Sequence, residues 1–351
     1  MVKGERLMRK LTVVRYKDID VDKWDAFVDE SDTAWFWHTS FFQEAWPYGE
    51  NISFAIVDEN NKIILEQSLY LEKRINRIPK MLKKMKLFYR RKNSLKSIGG
   101  IAVKNDLTSK QKRRLQRFYV QYIDRIIDEY KIKNFDYCVQ ATLVKSYLPK
   151  VCPLVNPMIF WGYINSISQA YVIDLSKTKD EIYYEFQQTT RNLINRCKKD
   201  ETIKLVEAKS SKDDLDRYYK LHVQTYTRTG TSPHPKKYFE KIFFNILKNN
   251  LCRIVFLYKN DELIAAQNTL FFKDVAMYWT GASLDDKGEG ENRLLMFEQI
   301  MKAKDMGVKY YEVGEAFPNV RKGKLKGLND YKKAFGGAIH PIFSGRWNCK
   351  N

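Results

Sequence analysis

The chain has 351 residues, enough for about two domains, and its 44% hydrophobic and 14% aromatic content argues against disorder over most of its length. Its 62 Lys+Arg against 42 Asp+Glu leave a net charge of +20, which points to polyanionic partners (tRNA, a nucleotide or pyrophosphate-linked substrate, an anionic membrane surface) or to a Lys- and Ile-rich background composition. The five cysteines, Cys138, Cys152, Cys197, Cys252 and Cys349, include no close pair and argue against a disulfide framework or a zinc site.

Reading along the chain, Met1 to Lys10 lacks the apolar core of a signal peptide, and no run reaches the roughly 18 apolar residues of a membrane helix. A cytoplasmic protein is expected, with peripheral contact at the inner face of the membrane left open. Leu11–Tyr16 reads as a strand and Asp22–Glu30 as a helix turning Trp24, Phe27 and Val28 inward. Thr39 caps a short helix from Ser40 to Trp46. Ile52–Asp58 and Lys62–Glu72 read as a hairpin. Lys73–Lys96 is basic without an acid, with an apolar side, and suits anionic lipid or a phosphate backbone. A long helix from Thr108 or Ser109 to Tyr130 and a strand Asn134–Gln140 follow. Tyr147–Tyr163 is irregular, and the lobe boundary falls at its end.

Ala170–Leu175 opens the second lobe as a strand. Thr178 and Glu181 form a capping box for a helix predicted to bury Ile182, Phe186, Leu193, Ile194 and Cys197. Strand Ile203–Glu207 and helices Lys212–Tyr226 and Lys236–Lys248 come next, then strands Cys252–Tyr258, Leu263–Phe272 and Val275–Thr280. Helix Asn292–Met306, stopped by Gly307, leads to strand Val308–Val313.

This order, together with Arg191–Lys199, Tyr278–Ser283 ahead of a helix, Tyr331–Gly336 and, more loosely, Trp37–Trp46, resembles the Fem family of peptidoglycan aminoacyltransferases and their relatives. The resemblance implies an α/β (α+β) fold of tandem acetyltransferase-like (GNAT) lobes, with mixed, mostly antiparallel sheets flanked by helices. The first lobe would span residues 1–165. The second, 166–351, would hold the active cleft. No pair of long heptad helices matches the hairpin that many Fem transferases insert, which points to smaller relatives with more varied donors and acceptors.

Gln188, Arg191, Asn195 and Lys198 share one helix face, where Arg191 can grip a phosphate with two parallel bonds. The matching helix in Fem-like proteins helps to hold a phosphate-bearing acceptor. The resemblance places Lys332, with Lys333 as the alternative, as the cation that stabilises a tetrahedral oxyanion. It also places Glu312 as the base for the acceptor amine. Tyr278 and Trp279 are candidate cleft walls, and Arg228, beside His222, a candidate cleft-lining cation. The loop Ala282–Asn292 sits where acetyltransferases cradle a pyrophosphate. Gly288 and Gly290 suit that role, but Asp285, Asp286, Glu289 and Glu291 would repel the anion, which shifts the expectation from coenzyme A toward aminoacyl-tRNA.

The expected function is therefore amide-forming transfer of an aminoacyl or acyl group to an amine on a cell-envelope precursor, peptide or amino sugar. No cofactor or metal is expected beyond the aminoacyl-tRNA or acyl-CoA donor, and the default state is a monomer. Two alternatives stay open: acyl-CoA-dependent N-acylation of a nucleotide-linked amino sugar for polysaccharide synthesis, and a non-catalytic binder of nucleic acid or membrane.

Overall fold

A computed structural model describes residues 10–74, 92–284 and 290–349. In chain order the first elements are β1 (Thr12–Arg15), α1 (Val21–Glu30), α2 (Ser40–Ala45), β2 (Glu50–Asn51), β3 (Phe54–Val57), β4 (Ile63–Gln67), β5 (Tyr70–Arg74), β6 (Lys92–Gly99), β7 (Ile101–Val103), α3 (Ser109–Glu129) and β8 (Ile132–Gln140). There follow β9 (Ile164–Asp174), α4 (Lys179–Glu185), α5 (Gln188–Lys198), β10 (Ile203–Glu207), α6 (Lys212–Arg228) and α7 (Lys236–Lys241). The last are β11 (Cys252–Lys259), β12 (Glu262–Phe272), β13 (Val275–Ser283), α8 (Glu291–Asp305), β14 (Tyr310–Ala316), α9 (Lys324–Lys333) and β15 (Ala338–Trp347). The chain divides into two compact units, Met1–Ser168 with Ile342–Asn351, and Gln169–Pro341.

In the first unit, β1-β3-β4-β7 form an antiparallel sheet, and β15-β8-β6-β5-β2 run in that order as a second layer of strands. The amphipathic helix α3 buries Leu115, Tyr119, Ile123, Ile126 and Ile127 against Phe54, Ile56 and Phe135. Thr108 and Gln111 cap its start reciprocally, each answering the other's exposed amide. The predicted single strand Lys62–Glu72 is two strands, because β4 pairs with β3 while β5 pairs with β6. At the crossing between them, the Ser68 hydroxyl donates to the Trp37 carbonyl at 2.8 Å and accepts from Gln43 at 2.6 Å. Side-chain bonds thus stand in where the ladder is interrupted.

In the second unit the strands run β10-β11-β12-β13-β14-β9. All neighbours are antiparallel except β13 and β14, which are parallel. Helix α8 is buried most of the way round, and its Leu294, Leu295, Met296, Ile300 and Ala303 share one core cluster with Phe186, Tyr311 and Phe335.

The Thr178–Glu181 capping box is present. The helix it opens does not run through to Cys197. Phe186 and Gln187 turn extended, with ψ of 146° and 143°. The break lets Phe186 pack edge-on to Phe297 and Phe335 while α5 still directs Ile194 and Cys197 into the same core. The amide of Gln187 then bonds the carbonyl of Ala334 at 2.9 Å. The Lys236–Lys248 helix is α-helical only to Lys241, and Ile242–Leu247 is wound as a π-helix. Helix α9 and strand β15 carry no expectation from the sequence.

Candidate active site

The central parallel pair of the second unit is short. β13 and β14 pair only at Val275–Tyr310, Ala276–Tyr311 and Met277–Glu312, although β13 continues to Ser283 and β14 to Ala316. Two bulges bracket the point of separation. Trp279 is the extra residue of β13 against β12, since Asn268 pairs with Thr280 and Thr269 with Tyr278. Val313 is the extra residue of β14 against β9, since Glu312 pairs with Val172 and Gly314 with Tyr171. Bulges re-aim the side chains that follow them and end a regular pairing.

Lys332 lies beside this separation. Its side chain is 7% exposed. Its Nζ donates to the carbonyl oxygen of Glu315 at 2.9 Å and stands 5.7 Å from the Phe317 ring centroid. Burial holds its pKa below the usual lysine value, while the charges of Glu312 and Glu315 act in the opposite sense. Gly314 makes the approach possible. Its φ is +107°, and a Cβ there would stand 3.0 Å from Nζ of Lys332. Glu312 is 6% exposed. The preceding turn of α9 is fixed by Asn329, whose Oδ1 accepts from the Tyr171 hydroxyl at 3.1 Å and from the Phe317 amide at 2.8 Å. Just past the helix, Gly337 adopts φ +76°, and a Cβ would lie 2.4 Å from the Val172 carbonyl oxygen. The closing motif is therefore built for close packing at its glycines and for burial of one lysine. Lys333, one position on, is exposed.

Strand alternation places more polar groups on the Glu312 face. Glu312 pairs with Met277, Met277 with Leu270, and Asn268 lies two residues before Leu270. Asn268 is fully buried, yet neither its Nδ2 nor its Oδ1 has a hydrogen-bond partner. Thr280, its neighbour across β13, bonds the Tyr218 hydroxyl of α6 at 2.7 Å. His222 on α6 accepts the His234 amide at Nε2 (3.1 Å), and burial lowers its pKa to about 4. It is thus a neutral packed imidazole. In the first unit His38 is fully buried as well, its Nδ1 accepting from the Trp35 amide at 3.2 Å.

The remaining predicted residues are engaged locally. Arg191 donates to the carbonyls of Tyr184 (2.8 Å) and Phe186 and to Oε1 of Gln188. Its guanidinium thus satisfies the carbonyls at the end of α4. Asn195 accepts from the Tyr183 hydroxyl at 2.8 Å, and Lys198 lies 3.9 Å from the Phe297 ring centroid. The face carrying Arg191, Asn195 and Lys198 is turned toward α4 and α8. Arg228 donates to the carbonyls of Ser283 (3.2 Å) and Leu284 (3.4 Å), at the far end of β13. Tyr278 packs against the α8-side core, and burial pushes its pKa up to about 12. Trp279 meets Tyr238 edge-on at 6.1 Å.

The structure thus brings Lys332 and Glu312 together, while Tyr278 packs on the α8-side core, Trp279 meets Tyr238, and Arg191, Asn195 and Lys198 serve the α4–α5 corner. Asn268 was missed because a polar residue inside an apolar strand looks like any other strand residue until its environment is known. Asp285, Asp286, Gly288 and Glu289 lie outside the described residues, as do residues 75–91 of the basic stretch. Glu291, at the start of α8, is paired with Lys259 at 2.8 Å. Among the described residues no cluster of His, Cys, Asp and Glu is arranged to hold a metal ion.

Residues 185–333 match the acetyltransferase (GNAT) domain family. No curated protein sequence matches the chain. Similar solved structures include FemX, with a TM-score of 0.66 at 12% identity, covering 95% of this chain and 96% of that one. Another is L-PGS from Bacillus licheniformis, with a TM-score of 0.56 at 12% identity over 95% and 92% of the two chains. A third is a tandem GNAT protein from the clavulanic acid biosynthesis pathway, with a TM-score of 0.55 at 10% identity over 96% and 98%. At such identities the likeness is one of fold. The parted central strands, the α8 that follows them and the match over residues 185–333 together identify that stretch as an acetyltransferase (GNAT) domain, within a chain that has the fold of the Fem-like proteins.

Proposed function

We propose that the protein is an amide-forming aminoacyltransferase, which joins the aminoacyl group of an aminoacyl-tRNA to an amine on a cell-envelope precursor or peptide. The observation that carries this reading is the buried Lys332 beside Glu312, at the point where β13 and β14 separate. The amine attacks the ester carbonyl, and Lys332 stabilises the tetrahedral oxyanion with a fixed positive charge. Glu312 takes the proton from the attacking amine. Collapse of the intermediate forms the amide and releases the ribose hydroxyl of the tRNA, which recovers a proton. Asn268 offers both a donor and an acceptor on the same face and orients a polar group of the substrate. In this reading Arg191, Asn195 and Lys198 act by holding α5 in place.

A second reading keeps the same site but takes an acyl-CoA donor and a nucleotide-linked amino sugar. The separation of β13 from β14 within a GNAT-family domain favours it. Incubation with pools of charged tRNA, and separately with acyl-CoAs, each with an amine acceptor, discriminates the two by which donor is consumed. Loss of consumption in Lys332→Ala ties either result to the site. Donor consumption in neither arm overturns both readings.

A further inference from the structure

The irregular segment that follows β8 in the first unit carries large apolar side chains in water. Leu154 is 103% exposed, Val155 66%, Val151 60%, Ile159 47% and Phe160 43%. Single exposed apolar residues are ordinary, but five within ten residues of one loop form a ridge that calls for a partner. The ridge is held stiffly from below. Met158 is 1% exposed and Trp161 7%, and both plug the core of this unit. Asn156 donates from Nδ2 to Oδ1 of Asn165 (2.8 Å) and to the carbonyls of Ser166 (3.1 Å) and Ser344 (2.8 Å), while its Oδ1 accepts the Met158 amide at 3.0 Å. A buried asparagine with so many bonds fixes the loop, so little ordering entropy is lost when the ridge is covered.

Charge selects the partner. No acid occurs between Asp136 and Asp174, Lys150 stands exposed beside Val151, and the whole chain carries +20. A loop tip of Val, Leu, Ile and Phe that lacks acids and is flanked by lysine suits the boundary between anionic headgroups and acyl chains. It suits a protein groove less well, because such grooves accept a helix face or a strand, and this segment holds only the single 3-10 turn Pro157–Ile159. No described helix is long and apolar enough to cross a membrane, so a contact of this kind would be peripheral.

We propose that the ridge Val151, Leu154, Val155, Ile159 and Phe160 is a membrane-docking loop that inserts into an anionic lipid surface. The inference is independent of the acyl donor and of the active-site assignment. It is tested by co-sedimentation of the full chain with vesicles of phosphatidylcholine and phosphatidylglycerol (3:1) and with vesicles of phosphatidylcholine alone. The wild-type chain is expected to sediment with both, more strongly with the anionic ones. The double variant Leu154→Asp/Val155→Asp should lose binding by at least about tenfold, since it replaces two inserting side chains with charges. These side chains are exposed, so the thermal midpoint should not change. Absence of wild-type binding overturns the proposal. Equal binding of the variant overturns it too, by assigning the lipid contact to another surface. A wild-type chain that self-associates and is dispersed by the double substitution also overturns it, by making the ridge an interface between copies.

Discussion

Nζ of Lys332 donates to the carbonyl oxygen of Glu315 at 2.9 Å, across Gly314. The strand and the helix are thus joined one residue past the position of β14 that lacks a side chain, and the lysine's charge is fixed before any substrate arrives. A charge held in advance loses nothing to reorganisation during reaction. Lys332→Ala is expected to lower turnover by about 10²- to 10³-fold, the usual effect of removing an oxyanion partner, with the thermal midpoint nearly unchanged. Steady-state kinetics with the consumed donor, beside a melting curve, checks both halves.

In the proposed mechanism the ammonium form of Lys332 stabilises the oxyanion, so activity should fall on the alkaline side as that proton is lost. Burial moves this limb down from the ordinary lysine range, and Glu312 moves it back up. Glu312→Gln should therefore shift the alkaline limb of the pH–rate profile to lower pH, in addition to lowering the rate. A limb that stays in place would separate Glu312 from Lys332.

Gly314→Ala meets two obstacles: a left-handed backbone at φ +107° and a methyl 3.0 Å from the ammonium. A loss of about 1–3 kcal/mol of stability is expected from the backbone alone. The double variant with Lys332→Ala should recover only the part due to the contact. A double-mutant cycle in urea reads the difference.

Arg191→Ala should act on stability. The guanidinium satisfies carbonyls at the end of α4, and its loss is expected to cost about 1 kcal/mol. KM for a phosphate-bearing acceptor should stay within about twofold. A large rise in KM with unchanged stability would restore the phosphate-holding role that the sequence suggested.

Among the described residues, Glu66 and Asn268 are buried with no hydrogen-bond partner for either side-chain polar atom, and they should respond differently to an apolar substitution. Glu66 is fully buried between Ala55 and Ala102 of the neighbouring strands, and both its oxygens are without a hydrogen-bond partner. Burial, aided by Asp25, raises its pKa well above the usual carboxyl value. The folded state therefore binds the proton more tightly than the unfolded state does. The associated stability is fully present below the unfolded pKa and is lost as pH rises toward the folded one. Glu66→Leu should raise the thermal midpoint at pH 8 more than at pH 5. Asn268→Leu should also be neutral or stabilising, because it removes an unmet amide, but it should raise KM for the substrate that Asn268 orients.

Periodicity made most of this fold legible. The apolar stripe of α3, the capping box at Thr178 and the apolar runs of β11 to β13 are local signals, and local signals survive without tertiary information. The break at Phe186 was not legible, because the helical spacing of Ile182, Phe186, Ile194 and Cys197 continues across it. Only the distant carbonyl of Ala334 and the aromatic pocket decide the backbone there. The same holds for Arg191: its spacing on α5 describes a basic face, and nothing in the spacing says that α4 folds back to occupy it. The resemblance favoured Lys332 and kept Lys333 as the alternative, and the helical phase of α9 separates them into buried and exposed. Asn268 gave no signal, since an orphaned amide is a property of its surroundings.

The bond from Gln187 to Ala334 has a bearing on how the protein is made. It joins residues near the two ends of the second unit, and Phe186 and Phe335 meet at the same corner. The α4–α5 corner cannot close until α9 has emerged, so the unit completes the proposed site only when nearly all of it has been translated.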